Sequence, residues 1–151
     1  MSRERLEAGM EKDGTLVPIV RWSIIVGLVF SLVCSISIMD WGIFSEPGGI
    51  LLLGGSLIVF AFIFAPYGLL YACHRTLAAS SGSQIVLLMA SILTTLAYAY
   101  IFWTVFFFND NPDAQDGIVL VIFPVYLLVI DGAFCVGAFV ARAIANRKSA
   151  G

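Results

Sequence analysis

The sequence predicts an all-α membrane protein: a bundle of four transmembrane helices with short loops and both termini on the cytoplasmic side. Three observations predict it. Hydrophobic residues fill 60% of the 151 positions and charged residues only 12%, with a mean hydropathy of +1.00, far outside the soluble range. The apolar residues fall into four long blocks that are apolar all round, which lipid tolerates and the interior of so short a chain does not. All eight Lys and Arg residues lie on one side of those blocks.

Residues 1–18 form a cytoplasmic tail. Within it Leu6 and Met10 share one face of a short surface helix that Gly14 and Pro18 are expected to end. The first span covers residues 19–39, and Trp22 and Trp41 bracket it. At about 1.5 Å per residue the two rings stand roughly 28 Å apart, one at each interface. A signal peptide with Ser35-Ile36-Ser37 as cleavage site is the rival reading, and the apolar stretch is too long for it. The second, third and fourth spans cover residues 50–72, 85–108 and 118–141, and residues 142–151 form the C-terminal tail. Each span has the length of roughly 20 residues that a hydrocarbon core demands.

Orientation comes from charge. Arg3, Arg5, Lys12 and Arg21 precede the first span, Arg75 lies between the second and third, and Arg142, Arg147 and Lys148 follow the fourth. The other two loops carry only acids: Asp40 and Glu46 in one, Asp110, Asp113 and Asp116 in the other. The split follows the positive-inside rule, so the basic side is cytoplasmic, and a bacterial cytoplasmic membrane is the expected location.

Lipid tails are as apolar as Leu, so membrane helices associate where small residues let backbones approach. Ser23, Gly27, Ser31 and Ser35 make such a stripe on the first span, and Ala133, Gly137 and Ala141 on the fourth. These two edges are expected to meet. Ala61, Ala65, Gly68 and Ala72 offer an edge on the second span, and Ser91, Thr95 and Ala99 on the third. Aromatic residues from Tyr98 to Phe108 crowd the outer end of the third span as an interfacial belt. Pro66 and Pro124 fall inside their helices and each should free a carbonyl and bend its helix.

Few motifs carry chemistry. Gly48, Gly49, Gly54 and Gly55 follow no strand and make no phosphate loop. The loop 109–117 has oxygen side chains at alternate positions but lacks the glycine and the final acid of a calcium loop; Asp116 is expected to cap the fourth helix. Cys34, Cys73 and Cys135 form no CxxC pair and read as buried free thiols. His74 reads as an interfacial polar residue. No cofactor is implied, and a net charge of −2 gives no surface for nucleic acid.

Asp131 stands apart. It is the one charged residue well inside any span, near the midplane of the fourth, where such a group costs about 2.5 to 3.5 kcal/mol to insert. Buried acids often answer by staying protonated. Serines of the first span or threonines of the third are its candidate partners. Asp131 is either an interhelical hydrogen-bond donor or a titrating group. Two functions follow: a non-enzymatic interaction protein, as accessory subunit of a membrane complex or immunity-type protein against a membrane-active toxin, or an oligomeric proton-coupled transporter or channel using Asp131. An enzyme is not expected, because one acid without a second polar group at matching depth gives no acid–base pair.

Overall fold

The computed structural model describes residues 3–38, 49–77, 80–107 and 114–150, with side chains described over 15–37, 58, 60–77, 80–104 and 122–147. The loop with Asp40, Trp41 and Glu46 and most of the acidic loop, including Asp110 and Asp113, lie outside the described residues.

Four α-helices follow in chain order: α1 (Arg3–Ile38), α2 (Gly49–Thr76), α3 (Ser81–Ile101) and α4 (Ala114–Ala150), with a π-helical turn Phe102–Phe107 continuing α3. Three stretches among the described residues are long and apolar enough to cross a membrane: Thr15–Ser37, Ser81–Thr104 and Ile122–Arg147. At about 1.5 Å per residue each exceeds a hydrocarbon core of about 30 Å.

Two boundaries differ from expectation. Gly14 and Pro18 do not end a separate surface helix: α1 runs unbroken from Arg3 to Ile38 with Pro18 inside it. Proline removes a single intrahelical hydrogen bond, and the carbonyl it would crowd four residues back is that of Gly14. Asp116 does not cap α4 from outside either, because the helix already begins at Ala114.

The helices are neighbours in the cyclic order α1, α3, α4, α2, with α1 and α4 on the long diagonal. The expected meeting of the α1 and α4 small-residue edges therefore does not occur. The α1 edge turns to α3 and α2 instead: Gly27, Ser31 and Ser35 are buried and Ser23 is half-buried. On α4 the buried row is Leu127, Asp131, Cys135 and Ala138, while Ala133 and Gly137 are exposed and Ala141 is half-buried. The deepest positions include Tyr67, Tyr98, Phe102 and Asp131. Outward-facing residues such as Val26, Leu96, Val129 and Val136 are apolar and exposed, the reverse of a soluble bundle.

The end of α2 is tied to the start of α3 and to α4 by side-chain hydrogen bonds. Gln84 Nε2 donates to the carbonyl of Leu77 at 3.0 Å, Arg142 Nη1 donates to the carbonyl of Thr76 at 2.8 Å, and Thr76 Oγ1 donates to the carbonyl of Cys73 at 2.9 Å. The Arg142 bond reaches a carbonyl of the last turn of α2, while the carbonyls of Cys73 and Leu77 also accept from the backbone N–H groups of Leu77 at 3.0 Å and Ser80 at 3.3 Å. The Arg142 contact also puts the C-terminal parts of α2 and α4 at the same end of the bundle as the start of α3.

Candidate functional site

Asp131 sits in the centre of the bundle with none of its surface exposed. Its partner is Thr94 on α3, one of the threonines expected for it, and no serine of α1 reaches it. Thr94 Oγ1 lies 2.8 Å from Asp131 Oδ1 and 2.9 Å from Oδ2. A threonine hydroxyl has one proton to give and two lone pairs to accept with. Thr94 donates in both contacts, so its one proton is shared between the two carboxyl oxygens.

A second polar chain joins α1, α2 and α3 beside this pair. Thr95 Oγ1 donates to the carbonyl of Ser91 at 2.8 Å, which uses its only proton. The Tyr67 hydroxyl, 3.2 Å from Thr95 Oγ1, must then be the donor there. Ser31 Oγ, 3.2 Å from that hydroxyl, in turn donates to Tyr67. Ser35 Oγ donates to the carbonyl of Ser31 at 2.7 Å, and Ser23 Oγ and Ser91 Oγ are 2.9 Å apart. The chain thus has a fixed sense, and each proton from Ser31 to Thr95 is committed to a neighbour.

Gly27 makes this chain possible. A Cβ there would collide with Thr95 Oγ1 and come within 2.7 Å of the Tyr67 ring. The Tyr67 ring thus reaches between α1 and α3 over a position with no side chain. Tyr67 stacks on Tyr98 with centroids 5.8 Å apart, and the Tyr98 hydroxyl donates to the carbonyl of Ile63 at 3.0 Å. Ile63 stands three residues before Pro66, whose missing N–H leaves the adjacent carbonyl of Phe62 without its helical donor. The opened turn of α2 is where Tyr98 enters. Phe102, at the start of the π-helical turn, and Phe123 complete the ring cluster around Tyr98.

A smaller polar set closes the opposite end. His74 is buried, with Nδ1 2.8 Å from Gln84 Oε1. The bond from Gln84 Nε2 to Leu77 orients the amide, so Oε1 is the acceptor and His74 Nδ1 carries the proton. Ser83 Oγ donates to the carbonyl of Ala138 at 2.7 Å, tying α3 to α4.

The expected small-residue positions therefore divide. Ser31 reaches Tyr67, Ser35 bonds the Ser31 carbonyl, Ser23 pairs with Ser91 and Gly27 leaves room for the Tyr67 ring, whereas Ala133, Gly137 and Ala141 are not part of this set. Sequence reasoning missed Tyr67, Tyr98 and Gln84 as the partners that make these chains continuous. Tyrosines in the middle of apolar spans were the available signal, since a buried hydroxyl needs a partner. Among the described residues every buried side-chain nitrogen and oxygen has a hydrogen-bond partner, and no group of His, Cys, Asp and Glu is arranged to hold a metal ion. A cleft of about 170 Å³ between α1 and α3 is lined by Ser23, Val26, Gly27, Ile92, Thr95 and Leu96, and Asp131 is not in its wall. Compared with protein-family models, curated proteins and solved structures, the chain shows no match.

Proposed function

We propose that this chain is a non-enzymatic integral membrane interaction protein with four spans and both termini cytoplasmic. It would act as an accessory subunit of a membrane complex, or as an immunity-type protein that holds a membrane-active toxin through contacts within the bilayer. The observation that carries this reading is the Asp131–Thr94 pair. The single intramembrane acid is fully buried and both its oxygens are engaged by one neighbour, which is the arrangement of a helix fastener. A transport site needs a polar path to water and a group free to exchange its proton. The outward face is apolar and includes Leu96, Tyr100 and Trp103, a surface that suits lipid and a partner helix alike.

A proton-coupled transporter or channel is the second reading, favoured by the depth of Asp131 alone. Vesicles under a pH gradient separate the two. With the interaction reading, parent protein and Asp131→Asn give the same proton flux, or none. Flux that the Asn variant loses and Asp131→Glu partly keeps would replace that reading with the transporter. Native mass measurement of complexes extracted from the source membrane supplies the positive test: a stoichiometric second chain is expected, and a bare monomer or homo-oligomer counts against it.

A further inference from the structure

We infer that the cleft between α1 and α3 holds one glycerophospholipid, with an acyl chain in the cleft and an ester carbonyl that accepts a hydrogen bond from Ser23. The wall is apolar at Val26, Gly27, Ile92 and Leu96, and its only hydroxyls are those of Ser23 and Thr95. Both helices are long and apolar enough to cross a membrane, so the cleft opens on lipid. Proton accounting leaves one donor in its wall. Thr95 Oγ1 gives its proton to the carbonyl of Ser91 and can otherwise only accept. Ser23 Oγ and Ser91 Oγ have two protons between them and make one hydrogen bond, at 2.9 Å, with no further bond from either hydroxyl among the described residues. Ser91 is wholly buried and outside the cleft wall, so a proton left on it would stand in a dry interior without an acceptor. Ser91 is then the donor of the pair. The proton left over is that of Ser23, which is half-buried and lines the cleft. Hydrocarbon cannot accept it, and an ester oxygen can.

Depth selects the ligand. Arg21 and Trp22 directly precede Ser23 and are exposed, the snorkelling cation and the ring that mark a membrane interface. Trp22 stands one turn before Val26 on the same face of α1. The two helices run in the same direction here, since Ser23 meets Ser91 and Gly27 meets Thr95. The cleft thus leads from the interface beside Ser23 into the hydrocarbon beside Gly27 and Leu96. A phospholipid presents its parts in that order: phosphate among the headgroups, ester carbonyls at the boundary and chains below. The positive charge of Arg21 at this level favours an anionic headgroup.

The test is competition read by native mass spectrometry. The full chain in detergent is given equal amounts of dipalmitoyl phosphatidylglycerol and its di-O-hexadecyl analogue, which is the same lipid without ester carbonyls. One retained lipid per chain is expected, with the ester form favoured about fivefold. Ser23→Ala should retain the two forms equally. Ser91→Ala breaks the same serine pair but keeps the Ser23 hydroxyl, so it should keep the preference. Leu96→Trp, at an exposed position of the cleft wall, should lower retention of both. Melting curves show whether each variant is folded, and Ser23→Cys, a far weaker donor, replaces Ser23→Ala if that variant is not. The assignment is overturned if the parent retains no lipid or retains both forms equally. It is also overturned if the preference survives loss of the Ser23 hydroxyl, if Ser91→Ala abolishes it, or if Leu96→Trp leaves retention unchanged.

Discussion

Gly27 and Gly137 occupy equivalent places in their helices' small-residue stripes and have opposite roles. A methyl at position 27 meets Thr95 and the Tyr67 ring, and neither can retreat without breaking the hydroxyl chain from Ser31 to Thr95. Gly27→Ala should lower the melting temperature in detergent by the equivalent of about 1–3 kcal/mol, the usual range for overpacking. Gly137 is exposed, and the nearest atom to an added Cβ is Val86 Cγ1 at 4.0 Å. Gly137→Ala should therefore leave melting unchanged or raise it, since Ala is the better helix former. The Asp131–Thr94 pair behaves as a unit for a related reason. Asp131→Leu strands the Thr94 hydroxyl in a dry interior, and Thr94→Val strands the carboxyl. Removing both leaves nothing unpaired. The double variant should be more stable than the sum of the singles by about 1 kcal/mol, within the range for hydrogen bonds between membrane helices. Strict additivity in thermal melts would mean the pair contributes nothing. Asp131→Asn should melt close to the parent, because the amide still offers a donor and an acceptor.

At the scale of elements, Tyr67 is the side chain on which three helices converge. Its hydroxyl links Ser31 on α1 to Thr95 on α3, so Tyr67→Phe removes two hydrogen bonds at once and leaves Ser31 without the acceptor for its proton. Tyr98→Phe removes one bond, to a backbone carbonyl beside the proline turn. The first variant should melt below the second, and the reverse order would show that the hydroxyl chain holds less than the carbonyl contact. The sequence made part of this legible. Helix existence follows from apolar runs too long for anything else, and the face that α1 buries follows from the recurrence of Ser23, Gly27, Ser31 and Ser35. The partner of that face does not follow. Periodicity marks which side of a helix is small, but it carries no information on which of three other helices lies there. That is why the α1 edge was expected on α4 and lies on α3 and α2. The candidate acid was visible for the same reason that its setting was not: a lone charge in an apolar run is conspicuous, whereas Thr94 is one of two adjacent threonines that differ only in the direction they face.

For the whole molecule, the contacts fix relative helix directions, and the proposed absolute orientation rests on the charges. Ser23 bonds Ser91, Ser83 bonds Ala138 and Arg142 bonds Thr76. The membrane-entering part of α1, the end of α2, the start of α3 and the end of α4 therefore share one end of the bundle. That end also carries Arg21, Arg75, Arg142 and Arg147, and the insertion machinery retains basic flanks on the cytoplasmic side. Fusions of a reporter active only in the cytoplasm should then work at Lys148 and fail at Asp113, and a reporter active only outside should do the converse. Reversing the flanks tests the cause as well as the result. Replacing Arg75, Arg142, Arg147 and Lys148 with Gln while adding lysines beside Asp113 should give molecules of mixed orientation, because the two ends then compete for the same side. If the parent shows Lys148 outside, the charge argument fails even though the bundle stands. If the altered protein keeps a single orientation, the four remaining basic residues before the first span suffice to set the topology alone.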